Sequence, residues 1–334
     1  MDNGTYILTF DKSQSVWGQK WYESIPINIT SSEIEVLFPS DGNYYCYCDK
    51  EIAKEIHPSK NADYLKQKLS SLFFNDTARE ITLTKFETEC GRRFNHIYRP
   101  VYLSSFRDTY NFNPLNYVPK EYYKDPPIKD LRVYNNYVRQ LEIIVEELFD
   151  VFKVVEPDES NLQTHGNAIR NIIFLACTEV DALFKQILKN NGLEKSNDRY
   201  KTNDYFELKK PLRIDEYSVS FSNFDTIKDF SPFQKWESPN TTQTLTWYDA
   251  YNKVKHDRIN NFEFANLENA IESTLAFALL LIVSYGYHND IWNEKIGRII
   301  EVKKEPLWLL KDFYLPPILG SEIVYDKHPD ICKK

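Results

Sequence analysis

Apolar side chains at spacings of three and four residues dominate the chain beyond about residue 130, and this pattern constrains the fold more than any other feature. Such spacing puts apolar groups along one side of an α-helix. Helices of this kind bury their apolar sides against one another, so the sequence predicts an antiparallel α-helical bundle over residues 130–287. The four stretches that carry the pattern are 131–152, 163–190, 244–259 and 264–285.

Two segments lie outside this helical pattern. Residues 193–242 contain short strand-like pieces and three prolines, which favours an insertion into the bundle. Residues 288–334 are predicted to form a C-terminal extension. The longest apolar run, Leu275–Val283, is far shorter than the roughly 18 to 20 residues that cross a bilayer, so no membrane span is expected.

The first part of the chain has a different period. Apolar and polar residues alternate at 5–10, 25–38 and 81–87, which predicts strands, whereas Asn61–Phe74 has the spacing of a helix. A group of prolines then separates this part from the helical stretches. We therefore expect an α+β protein, with a mixed α/β domain at 1–125 followed by the bundle.

The charge balance limits how the protein can contact nucleic acid. A net charge of −8 is opposite to that of proteins that grip nucleic acid with their whole surface. Any such contact must be local, on a small group of basic side chains.

The five cysteines are an odd number scattered over a long chain, which is typical of reduced thiols in the cytoplasm. Cys46, Cys48, Cys90 and His96 are an alternative zinc set, but the C-x-C spacing is not the C-x2-C that structural zinc sites use. We expect no metal and no cofactor.

The third helical stretch carries the most informative polar residues. At 100° per residue, Trp247 and Val254 share the apolar side, while Asn252, Lys255 and His256 lie on the opposite arc. Asp249 lies on the same polar arc, and Arg258 lies on its border. The plain interpretation is the solvated side of an amphipathic helix.

A resemblance gives this arc a second interpretation. The segment W-Y-D-A-Y-N-K-V-K-H-D-R (247–258), followed by A-N-L-E-N-A (265–270), resembles a motif of bacterial proteins in the HEPN superfamily, and so does R-N-I-I-F-L-A-C-T-E-V-D-A-L-F (170–184). The resemblance covers about 130–287. It implies a helical bundle that forms homodimers, and for many members it implies a metal-independent endoribonuclease with an R-x4-6-H motif.

The chain departs from that motif at the arginine. The three positions that could hold it are Asp249, Ala250 and Tyr251, so only His256 matches directly. By the resemblance His256, Asn252, Lys255 and Arg258 are the candidate catalytic residues. His256 would move the proton, and the two cations would stabilise the phosphorane.

Two residues of the second stretch are candidates for a supporting role. Glu179 lies near the apolar side, where an unpaired carboxylate is costly, so we expect it to pair with Arg258 or Lys255, either for the site or as a structural ion pair. Arg170 and Asp181 are expected on the far flank, paired with solvent or with each other.

Two functional hypotheses follow. The first is a HEPN-type endoribonuclease of a bacterial defence or toxin system, a homodimer with two copies of His256 lining one cleft and with residues 1–125 as a sensor or partner-binding module. The second is a HEPN-like module without catalysis that binds RNA or a nucleotide, or assembles with a partner. The missing arginine favours the second hypothesis, and the coincidence of four polar residues favours the first.

Overall fold

The computed structural model describes residues 4–12, 21–29, 34–40, 43–48, 81–85, 93–102, 123–124, 128–287, 289–308, 312, 314 and 325–331, with side chains at 93–100 and from 128 onward. The helix predicted at Asn61–Phe74 and the cysteine Cys90 lie outside these residues.

The chain divides into two compact units. The first comprises Met1–Arg93, Arg99–Lys124 and Leu307–Tyr325, and the second comprises Phe94–Tyr98, Asp125–Pro306 and Asp326–Lys334. The segment predicted as a C-terminal extension is therefore shared between them.

A five-stranded antiparallel sheet lies in the first unit, in the order β4-β3-β2-β1-β5. The prediction of a single strand at 25–38 is wrong. Its two halves belong to β2 and β3, which pair with each other between Ile29 and Ile34, so the chain turns back where continuous alternation was expected. Two short strands, β7 and β8, also pair antiparallel in this unit. The strands are β1 Gly4–Lys12, β2 Trp21–Ile29, β3 Ile34–Ser40, β4 Asn43–Cys48, β5 Ile81–Lys85, β6 Arg93–Phe94, β7 Val101–Tyr102, β8 Tyr123–Lys124, β9 Ser218–Phe221, β10 Ile300–Lys304 and β11 Tyr325–Asp326.

The second unit is a helical bundle, and its four long helices match the four apolar stretches of the sequence. They are α1, α2, α5 and α6, and α6 packs against each of the other three. Leu141 on α1, Val180 on α2 and Leu275 on α6 are each 0% exposed, as expected for one shared core. The helices are α1 Leu131–Phe152, α2 Asn167–Asn190, α3 Thr202–Phe206, α4 Lys209–Leu212, α5 Thr246–His256, α6 Leu267–Tyr285 and α7 Asp290–Lys295.

Helix α6 is buried on all sides from Ser273 to Tyr285, because this part lies at the centre of the bundle. It is the one helix of the described residues that is long and apolar enough to cross a membrane, and most of it is buried inside the protein. Burial of this kind is typical of the core helix of a helical bundle.

Side-chain caps set several helix boundaries. The Asp130 carboxylate accepts from the Val133 N–H at 3.1 Å to begin α1, and the Asn266 side chain accepts from the Asn269 N–H at 3.0 Å to begin α6. Helix α2 begins at Asn167 and not at the predicted 163, because the preceding segment bonds elsewhere: the carbonyl oxygen of Thr164 accepts from the Leu267 N–H at 2.9 Å.

The segment predicted as an insertion, 193–242, packs into the same core. Its Trp236 is fully buried, donates from Nε1 to the carbonyl of Thr241 at 2.9 Å, and lies 5.7 Å from the ring of Phe184 on α2. Strand β9 from this segment pairs antiparallel with β10. The segment is therefore an integral part of the second unit.

Candidate functional site

Helix α5 carries the sequence motif, and it is three residues shorter at its end than the sequence predicted. It ends at His256, because the carboxylate of Asp257 accepts from both the backbone N–H and the side-chain amide of Asn260, at 3.2 and 2.7 Å. Such a local turn competes with the helical hydrogen bonds. Arg258 consequently lies outside the helix that was expected to carry it.

Asn252 and His256 keep the relation that the sequence predicted. They lie one turn apart on α5, with His256 exposed and Asn252 half-buried. Among the residues that the structure describes, neither side chain has a hydrogen-bond partner. Both are therefore available to a ligand.

Lys255 does not extend toward His256, because it folds back along its own helix. Its Nζ donates to the Tyr251 hydroxyl at 3.0 Å and lies 4.9 Å from the centre of the Tyr251 ring. The hydrogen bond to Tyr251 raises the pKa of Lys255, and the charge of Asp181 adds to this. The ammonium is thus held at the surface between α5 and α2.

The expected pairing of Glu179 with Arg258 or Lys255 is wrong. Glu179 lies toward α1, where its charge helps to raise the pKa of Tyr137 to about 12, after the larger effect of burial. Glu179 lies five positions after Phe174, which contacts α5, and this places the two about 140° apart around α2. Burial raises the pKa of Glu179 itself, and no ion pair offsets it in the described part of the chain.

The carboxylate that does face α5 is Asp181, which the sequence had placed on the far flank. It accepts a hydrogen bond from the Tyr248 hydroxyl at 2.9 Å, and the Tyr205 hydroxyl from the 193–242 segment also donates to it. Burial raises the pKa of Asp181, against the effect of the Tyr248 hydrogen bond and of Lys185. Burial and the charge of Asp181 together raise the pKa of Tyr248 above its ordinary range.

Arg170 is also placed differently from the prediction, since it belongs to the surface between α2 and α5. Its guanidinium donates to the Asn171 side chain at 2.9 Å and lies 6.0 Å from the centre of the Phe174 ring. The Phe174 ring contacts the Tyr251 ring edge-on, with centroids 5.1 Å apart. Arg170, Phe174, Tyr251 and Lys255 thus form a line of cation, two aromatic rings and cation, which we name the cation–aromatic row.

A second contact of the same kind lies beside the start of α2. The guanidinium carbon of Arg258 is 5.9 Å from the centre of the Phe262 ring, and the His165 ring contacts that same ring edge-on at 5.7 Å. His165 forms an isolated antiparallel bridge with Asn266, so the loop after α5 and the beginning of α2 lie together. Both contacts are therefore at one end of the bundle.

Metal ligation finds no support in the parts of the chain that the structure describes, where no three His, Cys, Asp or Glu side chains group together. The side chains of Cys46 and Cys48 lie outside those parts, so the alternative zinc set stays a prediction. The groups that are assembled can bind an anion with two cations, present the partly exposed Phe174 ring to a planar group, and offer one exposed imidazole. Tyr251 is 5% exposed, so its ring supports Phe174 and Lys255 from below.

The sequence carried a signal for Asp181 and Tyr248 that periodicity alone did not reveal. Tyr248 and Tyr251 flank the apolar stripe of α5, and Phe174, Cys177 and Asp181 recur at spacings of three and four on α2. Reading the two helices as antiparallel partners would have matched Tyr251 with Phe174 and Tyr248 with Asp181.

In comparison with known proteins, no protein-family model, no curated protein and no solved structure matches the chain.

Proposed function

We propose that the second unit is a HEPN-like helical domain that binds RNA or a nucleotide on the surface between α2 and α5. The observation that carries the proposal is the cation–aromatic row. Neither Arg170 nor Lys255 has a carboxylate within 4.0 Å in the described residues, and the aromatic pair Phe174 and Tyr251 lies between them. Cations fix phosphates, and aromatic rings accept stacked bases without regard to sequence.

An acidic protein can hold a polyanion only where its own carboxylates are kept away from the contact. Asp181, whose charge acts on Lys255 in the row, is largely buried beneath the hydroxyls of Tyr248 and Tyr205. On the other side of α5, Asp249 is paired with Lys253 at 2.8 Å. Arg170 and Lys255 thus have no paired carboxylate among the described residues, which supports binding of an anion here.

The proposal is tested by binding of a fluorescein-labelled single-stranded RNA, followed by anisotropy at several salt concentrations. The double substitution Arg170→Met and Lys255→Met removes both cations. The expected result is at least about tenfold weaker binding, with the slope of log affinity against log salt reduced by about 1.4, since each phosphate contact to a single strand contributes about 0.7. Phe174→Ala should weaken binding by about 1 to 3 kcal/mol through lost stacking.

Lys153→Met is the matched control, because Lys153 is a highly exposed lysine at the end of α1 that pairs with Asp150. It changes the net charge without touching the row, so affinity and salt slope should stay close to those of the parent. If the parent does not bind RNA, or if the double variant binds as tightly as the parent, the proposal fails.

A second candidate function, an endoribonuclease centred on His256, is favoured by one specific observation. The imidazole of His256 is exposed, and the Asn252 amide lies one turn away with no partner in the described residues, so both can reach one phosphate. The absent motif arginine weighs against it. If the protein cuts single-stranded RNA in EDTA, His256→Ala should slow the cut by about 10² to 10⁴. Cleavage at an unchanged rate in that variant would exclude His256 as the proton-transfer group.

The resemblance also motivates proposals about assembly and setting. We expect a cytoplasmic homodimer with two copies of His256 lining one cleft, acting in bacterial defence or as a toxin, with the first unit binding a sensor ligand or partner protein. Light scattering at concentrations well above micromolar checks the dimer, and a monomer mass would contradict it. Slower growth on expression of the parent, but not of His256→Ala, is the expected outcome for a toxin.

A further inference from the structure

A second group of cations and rings lies where α5 ends and α2 begins. The guanidinium carbon of Arg258 is 5.9 Å from the centre of the Phe262 ring, and the His165 ring contacts the same ring edge-on at 5.7 Å. Arg258 and His165 are exposed, and Phe262 is partly exposed. We name these three residues the Phe262 cluster. Arg258 forms no ion pair among the described residues, so its charge is available to an anion.

Backbone hydrogen bonds connect this cluster to the cation–aromatic row. The Arg170 N–H donates to the Gly166 carbonyl at 2.9 Å. The Gly166 N–H in turn donates to the Ala265 carbonyl at 3.3 Å, and the Ala265 N–H donates to the Phe262 carbonyl at 2.9 Å. A Cβ placed on Gly166 would meet no atom within 4 Å, so the surface beside this connection is open. The row and the cluster are therefore neighbouring parts of one surface.

The two cations of the row lie on the side of the row that faces the cluster. Phe174 on α2 contacts Tyr251 on α5. Arg170 lies one turn before Phe174, and Lys255 lies one turn after Tyr251. Because α2 begins where α5 ends, both turns lead toward the same end of the bundle. Along the bundle axis, the two cations therefore lie between the Phe174 ring and the Phe262 cluster.

The Phe262 ring is held in place without any ligand. It belongs to the short 3₁₀ helix Phe262–Phe264, and the ring of Phe264 has its centre 4.3 Å from the Lys253 Nζ. The Phe264 carbonyl also accepts from the Asn269 side chain at 2.9 Å. A ring in a fixed position loses little conformational entropy on binding, which favours its use as a stacking surface.

We propose that the Phe262 cluster is a second subsite of the same binding surface, where Phe262 takes a base and Arg258 takes a phosphate, so that the ligand is single-stranded nucleic acid and not a free nucleotide. This rests on the proposed function, because the row holds another nucleotide of the same strand. A free nucleotide has one base and cannot stack on Phe174 and Phe262 together, whereas a strand can. Bases in a duplex are paired and stacked on one another, so a duplex would leave both rings unused.

The dependence of affinity on strand length tests the proposal. Binding of fluorescein-labelled octauridylate to the full-length protein is followed by anisotropy, and binding of uridine 5′-monophosphate by ligand-observed NMR. The octamer should bind at least about fivefold more tightly than the mononucleotide, since a stacked base contributes a factor of about 5 to 150. Phe262→Ala should weaken octamer binding by a factor in that range, whereas Phe174→Ala should weaken binding of both ligands.

Two charge variants test the phosphate contact of the second subsite. Arg258→Met should reduce the salt slope for the octamer by about 0.7, the contribution of one phosphate contact to a single strand. Because Arg258 is exposed, this variant carries the test if Phe262→Ala fails to fold. Glu263→Gln should tighten octamer binding, because Glu263 is exposed next to Phe262 in the chain and repels a phosphate there.

The chain offers a matched control for each loss. Phe206 is partly exposed with the Lys209 Nζ 5.8 Å from its ring centre, but that lysine pairs with Asp215 at 3.3 Å. Arg139 is an exposed arginine of α1. Phe206→Ala and Arg139→Met should both bind the octamer like the parent.

The outcomes separate this proposal from the one on which it rests. If Phe262→Ala and Arg258→Met bind the octamer like the parent while Phe174→Ala weakens it, the second subsite is refuted and the row alone carries the proposed function. If the parent binds neither the octamer nor the mononucleotide, both proposals fail.

Discussion

Removing one hydroxyl from α5 should measure how much the buried carboxylate of α2 contributes to the bundle. In Tyr248→Phe, Asp181 loses the hydrogen bond that it accepts at 2.9 Å and keeps the one from Tyr205. A hydrogen bond to a charged group contributes about 1.5 to 3 kcal/mol, and one partner remains, so we expect a loss of about 2 kcal/mol. In a unit of this size that corresponds to a melting temperature lower by roughly 4 to 8 °C.

The pH dependence separates a charge effect from a packing effect. The Tyr248 hydroxyl stabilises the ionised form of Asp181, so its removal raises the pKa of Asp181 further. Below the ordinary aspartate pKa of 3.8 the carboxyl is protonated in both folded and unfolded protein, and the cost of the substitution is smallest there. As pH rises to 7 the cost should grow to its full value.

Urea unfolding followed by circular dichroism, at pH 4 and at pH 7, provides the free energies. Tyr137→Phe is the control, because the Tyr137 hydroxyl donates at 2.6 Å to the neutral side chain of Gln186. Its cost should be about 0.5 to 1.5 kcal/mol and should depend less on pH. The reasoning is refuted if Tyr248→Phe costs no more than Tyr137→Phe at pH 7, or if its cost is larger at pH 4 than at pH 7.

Three further predictions concern stability. Arg258→Ala should change the free energy of unfolding by less than about 0.5 kcal/mol, because Phe262 is the one ring or charge that the exposed guanidinium contacts among the described residues; a loss above 1 kcal/mol in urea would restore the ion pair with Glu179. Leu275→Ala should cost about 2 to 5 kcal/mol and Leu175→Ala, on the exposed side of α2, under about 0.5, so similar melting of the two variants would contradict the core assignment. Glu179→Gln should stabilise the protein by under about 1 kcal/mol at pH 7 and not at pH 4, because burial raises the pKa of Glu179 and disfavours its charge as pH rises; thermal melting at both pH values measures this.

The four long helices could be predicted because each buries a row of apolar side chains along one side. Such a row has spacings of three and four residues, which can be recognised within one helix without knowledge of its neighbours. Val180 and Leu275 were assigned to one core on that basis, and both are fully buried. The same reasoning failed for β2 and β3. Four polar residues at 30–33 interrupt the alternation between Ile29 and Ile34, and the prediction passed over this break, although antiparallel pairing of β2 with β3 requires the chain to reverse there.

The candidate site was harder to predict, because it depends on which neighbour each side of a helix meets. Glu179 and Asp181 both flank the apolar stripe of α2, and nothing in one helix tells which flank faces α1 and which faces α5. In the structure, Glu179 faces α1 and Asp181 faces α5. Helix α5 ends early because Asp257 and Asn260 form a turn, held by hydrogen bonds to the Asp257 carboxylate. The spacing of apolar residues carries no information about such hydrogen bonds.

The central position of α6 also has a consequence for synthesis on the ribosome. Helix α6 packs against α1 and α2, yet Leu267 follows Phe152, the end of α1, by 115 residues. At translation rates of about 5 to 20 residues per second, the ribosome makes α6 on the order of ten seconds after α1. During that time the helix that covers the apolar sides of α1 and α2 is absent. The nascent chain therefore passes through a long interval with exposed apolar stripes, in which chaperone binding competes with aggregation, and a chain that stops before α6 lacks the helix that packs against α1, α2 and α5.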